Sequence, residues 1–100
     1  MFDCRDLYRF IDFEGPDSID SIFSEIKVPL KPDLFILDID GNEYHVWESM
    51  VTHRPRVMVI EFNPTMPNEV VFIQPRDMSI QQGSSLAAFV ELSKSNGYRL

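Results

Sequence analysis

The chain has 100 residues, which is enough for one small domain. Hydrophobic residues make up 44% of it and charged residues 25%, as in a folded globular protein rather than a disordered one. The formal net charge is −7, so the surface repels phosphate backbones and no nucleic acid is expected among the partners.

The N-terminal residues and the cysteine content bear on the compartment. Residues 1–10 contain no long apolar stretch, so they predict neither a signal peptide nor a membrane-spanning segment. Cys4 is the single cysteine, which excludes an internal disulfide, and no nearby histidine would activate its thiol. We therefore expect a cytoplasmic protein without a membrane partner.

The first predicted elements are a helix and a strand. Asp17 or Ser18 is suited to cap a helix that continues to about Lys27 along one apolar stripe, and prolines then end it. Residues 34–37 are an uninterrupted apolar run, which predicts a strand buried on both faces, as in a parallel sheet.

The same pattern then repeats. Residues 42–51 predict a second helix, with Tyr44 and Trp47 expected in the core rather than in a stacking platform. Residues 56–62 predict a second strand of the fully buried type.

The last part of the chain predicts a loop and a third helix. In the proline-rich loop, residues 70–73 predict a short extra strand. Residues 83–85 are expected to cap the helix, and residues 96–97 to end it with a left-handed cap. Residues 98–100 have the composition of the start of another strand.

This alternation predicts an α/β protein with a mainly parallel sheet and flanking helices. Two full strands are too few for an independent doubly wound sheet, because each leaves an open hydrogen-bonding edge. We therefore expect residues 1–100 to form part of a domain that tends to self-associate through its open edges.

Polar side chains follow both predicted strands where each one ends. Asp38 and Asp40 come after the first, and Glu61 and Asn63 after the second. Ligands of open α/β sheets bind outside the carboxyl ends of the strands, so these side chains are candidates for a functional site. Carboxylate and amide oxygens suit Mg²⁺ or Ca²⁺, and a carboxylate can also act as a base.

A structural explanation of the same residues remains open. Asp40 can cap the second helix, and Glu61 can pair with Arg56 or Arg76. The histidines lack a second ligand at metal spacing and are expected at the surface or at helix ends. They are His45 and His53.

The chain also resembles a known family. Residues 31–44 and 54–63 look like the two strand-end motifs of the FkbM-type methyltransferases. Residues 83–88 and 94–100 look like the closing helix and strand entry of a branch of that family. The resemblance extends from about Asp17 to the end of the chain, with the motifs in the same order.

The resemblance implies a Rossmann-like class I methyltransferase fold, S-adenosylmethionine as the methyl donor, and a hydroxyl of a small molecule or sugar as the acceptor. The expected catalytic residues are Asp38, Asp40 and Glu61. The expected cofactor-binding residues are Asp40, Gly41 and Asn42.

Two further features qualify this expectation. The first strand end is also similar to that of metal-dependent catechol-type O-methyltransferases, which implies a divalent metal on Asp38, Glu61 and Asn63. The glycine-rich cofactor loop of class I enzymes has no counterpart here, since Gly15 is the only glycine before Gly41. We therefore expect residues 1–100 to be the C-terminal half of a methyltransferase domain that does not hold the cofactor alone.

Three other functions remain open from the sequence. Asp38 and Asp40 also resemble the nucleophile and the acid of haloacid dehalogenase-like phosphatases, although Asn42 stands where that family has threonine. The same two aspartates are similar to the D-x-D motif of metal-dependent glycosyltransferases. The chain can also be a non-catalytic fragment or an interaction module.

Overall fold

The computed structural model describes residues 9–100, so Cys4 lies outside the described residues. A 3₁₀ turn, Gly15–Asp17, precedes the regular elements. In chain order these are α1 (Ile19–Glu25), β1 (Leu34–Leu37), α2 (Glu43–Ser49), β2 (Val57–Ile60) and α3 (Leu86–Ser95). The described residues therefore follow the predicted order of helices and strands up to β2, and α3 is the last regular element.

The two strands form a parallel pair, which confirms the predicted α/β class. Leu34 pairs with Val57, and the register continues to Leu37 opposite Ile60. The helix α2 connects the strands, as parallel strands require a crossover rather than a tight turn. This β–α–β unit places the carboxyl ends of β1 and β2 side by side.

Only one face of the sheet is covered by the described residues. Phe35, Met58 and Ile60 pack against a buried core, while alternate residues of both strands are at least half exposed. The exposed fractions are 55% for Leu34, 62% for Ile36, 54% for Val57 and 50% for Val59. The prediction of strands buried on both faces is therefore wrong for this part of the chain. An uninterrupted apolar run therefore predicts that a strand forms here, but not whether other residues cover both of its faces.

The core is built mainly from the helices and the inward strand residues. Val46 and Trp47 of α2 are 0% and 5% exposed, and Phe89 of α3 is 7% exposed. The rings of Trp47 and Phe89 stack with centroids 6.5 Å apart, and the Tyr44 ring lies 5.9 Å from that of Phe89. Both aromatic residues of α2 thus contribute to packing, as predicted.

Serine caps start the first and the last helix. The Ser18 hydroxyl accepts from Ser21 N, and the Ser85 hydroxyl accepts from Ala88 N. Each bond satisfies a backbone donor that has no partner inside the helix. At the other end of α3, Gly97 has a φ of +79°, which confirms the left-handed cap.

Two predicted strands do not form. In residues 70–73, Phe72 N donates to the Ser85 hydroxyl, and the next alternate donor, Gln74 N, donates to the Ser84 hydroxyl. These side-chain bonds replace a strand ladder. Residues 98–100 also pair with no strand in the described part of the chain, and the Tyr98 hydroxyl donates instead to Pro55 O.

Helices in the part of the chain from residue 9 onward are short, and none combines the length and apolar character needed to cross a bilayer.

Candidate functional site

The carboxyl ends of β1 and β2 bring three acidic side chains together. Asp38 directly follows β1 and Glu61 directly follows β2, where Glu61 N donates to Leu37 O at 3.2 Å. One carboxylate oxygen from each of Asp38, Asp40 and Glu61 lies within 4.8 Å of the other two. All three side chains are exposed. These residues, called the acidic rim below, are the three predicted as catalytic.

The crowding of carboxylates changes the acidity of Glu61. Hydrogen bonding with the Asp38 carboxyl and the negative charge of Asp38 raise the pKa of Glu61 to about 7, from an ordinary value of 4.5. Both effects favour the protonated form, since two neighbouring carboxylates repel each other when ionised. A carboxyl with a pKa near neutrality can accept and release a proton under physiological conditions.

A buried glutamate fixes the turn that carries the rim. Asp40 and Gly41 have φ values of +61° and +145°. The Glu43 carboxylate, 2% exposed, accepts from Ile39 N at 2.7 Å and from Gly41 N at 3.0 Å. Asn42 occupies the N-cap of α2 without a side-chain cap bond, so the expectation that Asp40 caps this helix is wrong.

Two of the predicted cofactor-binding residues are packed against the loop that precedes α3. The Asn42 side chain is 3% exposed, and its Nδ2 donates to Asp77 O at 3.0 Å. A Cβ on Gly41 would lie 2.6 Å from Ile80 O. Both residues therefore close the turn against the loop, and of the three only Asp40 presents an exposed side chain.

The predicted amide ligand is already engaged. Asn63 Nδ2 donates to Gln82 O at 3.0 Å, and its Oδ1 accepts from Thr65 N at 2.9 Å and from the Thr65 hydroxyl at 2.6 Å. Asn63 thus holds the loop after β2, and the three carboxylates that lie close together are those of Asp38, Asp40 and Glu61.

A polar cavity of about 320 Å³ opens beside the rim. Its volume is at the lower end of the range for small-molecule sites. Its lining includes three acidic residues, Asp40, Glu43 and Glu61. The remaining lining residues are Gly41, Phe62, Asn63, Pro64, Gln81, Gln82 and Gly83.

The alternative ion pairs of Glu61 are not formed. Arg56 Nη1 lies 3.9 Å from Asp33 Oδ1 at the other end of the strands. The Arg76 guanidinium lies 4.7 Å from the centroid of the Phe13 ring. Glu61 therefore has acidic neighbours and no basic partner among the described residues.

The histidines lie outside the rim. His53 is 3% exposed, so the prediction of a surface position is wrong for it, and its Nδ1 lies 2.9 Å from Asp20 Oδ1. His45 is half-buried, and its Nε2 contacts Gln74 O. Both serve contacts between segments that are distant in the chain.

Sequence reasoning missed the two buried polar residues that hold the site. Glu43 could have been noticed because an acidic residue in the first turn of a helix often binds free backbone donors. Gln74 is 0% exposed, accepts from Gly83 N at 2.6 Å and donates to Ile80 O at 2.9 Å. Its role depends on the path of the loop, for which the sequence holds no pattern.

Comparisons with protein families, with curated proteins and with solved structures each found no match for this chain. The architecture and the site define its class: an α/β protein with a parallel β–α–β unit and an acidic rim at the carboxyl edge.

Proposed function

We propose that this chain is part of an S-adenosylmethionine-dependent methyltransferase with a Rossmann-like class I fold, which methylates a hydroxyl of a small molecule or sugar. The observation that carries the proposal is the acidic rim at the carboxyl edge of a parallel β–α–β unit. Ligands of such folds bind at this edge. The resemblance of the two strand-end motifs to the FkbM-type enzymes supports the choice of reaction.

The rim residues would prepare the acceptor hydroxyl. Glu61, whose pKa is about 7, accepts the hydroxyl proton as the oxygen attacks, while Asp38 and Asp40 orient the hydroxyl by accepting hydrogen bonds. The bound donor supplies a methyl group on a sulfonium. The larger part of the rate gain comes from holding the acceptor in line with that methyl group.

The described residues fit the acceptor better than the donor. They contain no glycine-rich loop of the kind that holds the donor in class I enzymes. We therefore assign no donor-binding step to this chain. Calorimetric titration of S-adenosylmethionine into the folded 100-residue chain is expected to show no binding, and tight binding would contradict the half-domain proposal.

The rim also has the donor set for a divalent metal. Three carboxylates supply the hard oxygen ligands that Mg²⁺ and Ca²⁺ prefer, and the ion would relieve their mutual repulsion. As an alternative to the proton-accepting role of Glu61, we propose Asp38, Asp40 and Glu61 as the ligands. Calcium titration should show binding that Asp38→Asn weakens and that Glu69→Gln, an exposed carboxylate in the loop, leaves unchanged.

The direct test is transfer of a labelled methyl group. The protein as encoded by its gene would be incubated with methyl-labelled S-adenosylmethionine and a panel of sugars and hydroxylated small molecules. Asp38→Asn and Glu61→Gln are each expected to lower the rate by about 10²–10⁴-fold, the usual contribution of a general base. Glu69→Gln serves as the matched control. Full activity in both rim variants would sink the assignment.

The rim geometry favours one other candidate, a haloacid dehalogenase-like phosphatase. In this case Asp38 is the nucleophile and Asp40 the acid, and Glu61 supplies the third carboxylate for Mg²⁺. Mg²⁺-dependent hydrolysis of a phosphomonoester that is abolished by Asp38→Asn would favour the phosphatase over the methyltransferase.

A further inference from the structure

A cluster of basic side chains lies at the amino ends of the strands, opposite the acidic rim. Lys31 precedes β1, Arg54 and Arg56 precede β2, and Arg99 follows α3. These four residues line one cavity of about 390 Å³, and none of its lining residues is acidic. They are called the basic cluster below. Three chain segments contribute to it, so it is not visible as a run in the sequence.

Arg54 is held in position before any ligand binds. Its guanidinium carbon lies 4.4 Å from the centroid of the Tyr98 ring, and its Nη1 donates to Asn96 O. The Tyr98 hydroxyl is itself anchored on Pro55 O. At Gly97, a Cβ would lie 3.2 Å from Arg54 Nη2, so glycine leaves room for the guanidinium. A guanidinium fixed in this way loses little further rotamer entropy on binding an anion.

The other three basic side chains of the cluster form no strong ion pair with the described residues. Arg56 lies 3.9 Å from Asp33, but their side chains are 73% and 94% exposed, so this pair contributes little. Lys31 and Arg99 have no ion pair with any residue from 9 to 100. Arg54 binds Asn96 O and so has a structural role at the C-terminal end of α3, but this role does not explain the presence of the other three basic residues.

We propose that the basic cluster binds a phosphate dianion, either free or as the monoester of a small molecule. Four like charges around one cavity repel each other, and a dianion relieves this repulsion more than a chloride does. Arginine forks and a lysine ammonium are the side chains that recognise phosphate oxygens. The cavity volume lies in the range of small-molecule sites, which favours a small phosphate over a polymer.

The site is independent of the acidic rim and of the reaction proposed there. It occupies the opposite edge of the sheet, and the two share no residue. The chain has a net charge of −7, so an anion that binds at all must be held by a local arrangement rather than by the overall charge.

The test is calorimetric titration of the chain with inorganic phosphate and with phenyl phosphate, at pH 8 and at constant ionic strength set with sodium chloride. We expect binding, and we expect Arg56→Gln and Arg99→Gln each to weaken it by about tenfold. Both positions are exposed, so these variants should fold. Arg54→Lys keeps the charge but loses the fork and the stacking, and it should also weaken binding.

Arg76→Gln is the matched control, because it removes the same charge from a position outside the cluster. It should leave the affinity unchanged. Tighter binding of phenyl phosphate identifies a monoester as the ligand, and equal binding identifies free phosphate. The proposal is overturned if neither compound shows binding at concentrations up to about 10 mM, since a weaker dissociation constant corresponds to less than about 3 kcal/mol of binding free energy. It is also overturned if Arg76→Gln weakens binding as much as Arg56→Gln does.

Discussion

Among the single residues of the site, Glu61 has the most unusual acidity. Its pKa is about 7 in the folded chain and 4.5 for an ordinary glutamate. The folded state therefore keeps a proton that the unfolded state loses, and stability falls as the pH rises from about 4.5 to 7. Above pH 7 the repulsion from Asp38 is fully present.

Replacing Glu61 tests this linkage. In metal-free buffer, Glu61→Gln is expected to raise the melting temperature at pH 8, because the amide removes the repulsion with Asp38. The gain should shrink as the pH falls from 7 towards 5. Thermal unfolding followed by circular dichroism at these values measures the effect, with Glu69→Gln as the control. An equal gain at pH 8 and pH 5 would contradict the pKa given for Glu61.

Asp20 is the residue that ties α1 to the segment after α2. Its carboxylate accepts from Val51 N at 2.6 Å, Thr52 N at 2.9 Å and His53 N at 2.9 Å. Burial opposes its ionisation, but the hydrogen bonds outweigh burial and hold the pKa of Asp20 below its ordinary value of 3.8. This stability is present above pH 3.8 and is lost as the pH falls through the lower, folded-state pKa.

Removing the charge of Asp20 should therefore destabilise the fold. Asp20→Asn keeps the shape but supplies one acceptor oxygen, so backbone donors are left without a partner. A loss of about 2 kcal/mol in the free energy of unfolding is expected from urea denaturation. Asp33→Asn, at a position 94% exposed, should change it by less than about 0.5 kcal/mol. Similar losses in the two variants would contradict the role of Asp20.

At the scale of elements, the start of α2 depends on backbone packing as much as on the helix sequence. Gly41 has a φ of +145°, and an added Cβ would lie 2.6 Å from Ile80 O and 2.8 Å from the Gln81 Cα. Neither contact can be relieved by a side-chain rotation, because both atoms belong to the backbone. The turn after β1 and the loop before α3 are therefore fitted to each other at this glycine.

Gly41→Ala should push the turn after β1 away from the loop before α3. We expect it to cost about 3 kcal/mol or more, through backbone strain and the displaced loop. Gly15→Ala is the matched control, because Gly15 also has a positive φ, +79°, but has open space around its Cβ position. Its cost should be about 1 kcal/mol. Urea denaturation of both variants measures the difference, and equal costs would mean that the contact with Ile80 is unimportant.

The regular elements themselves were largely predictable from the sequence. Ser18 and Ser85 cap helices because a serine before an apolar stripe satisfies free backbone donors. Residues 34–37 form β1 with the predicted bounds. Residues 70–73 were mistaken for a strand because their apolar, branched side chains resemble one. Whether such a segment pairs depends on a neighbouring strand, and here its backbone donors meet serine hydroxyls instead.

At the scale of the whole molecule, the sheet has an aliphatic face that residues 9–100 leave uncovered. Leu34, Ile36, Val57 and Val59 form two neighbouring rows on the side of the sheet away from the core, and each is at least half exposed. Contiguous apolar patches of this kind are typical of interaction surfaces. The outer edges of the two strands also pair with no other strand among the described residues.

We therefore expect the isolated chain to self-associate. Sedimentation velocity should show an average mass that rises with concentration. Ile36→Lys and Val59→Lys should reduce this association, because each places a charge in the middle of the face. Val51→Lys is the control, since Val51 is 85% exposed but lies outside the sheet. A monomer at all concentrations would contradict this expectation, as would an equal effect of the control.

The sequence by itself determined the local features of this protein. It specified the serine caps of α1 and α3, the two apolar strands and the acidic residues at their carboxyl ends, because these depend on residue type and on spacing along the chain. The parallel pairing followed from the alternation of helices and strands along the chain. On these grounds Asp38, Asp40 and Glu61 could be named as neighbours.

Only the tertiary structure decided which groups meet across long separations. It buried Glu43 and Gln74 under the turn, engaged Asn63 with Thr65, and assembled the basic cluster from three segments. Within residues 9–100 it also left one face of the sheet without a cover. These outcomes depend on how loops pass over the core, and loop paths are set by many weak contacts between residues distant in the chain, which no local pattern records.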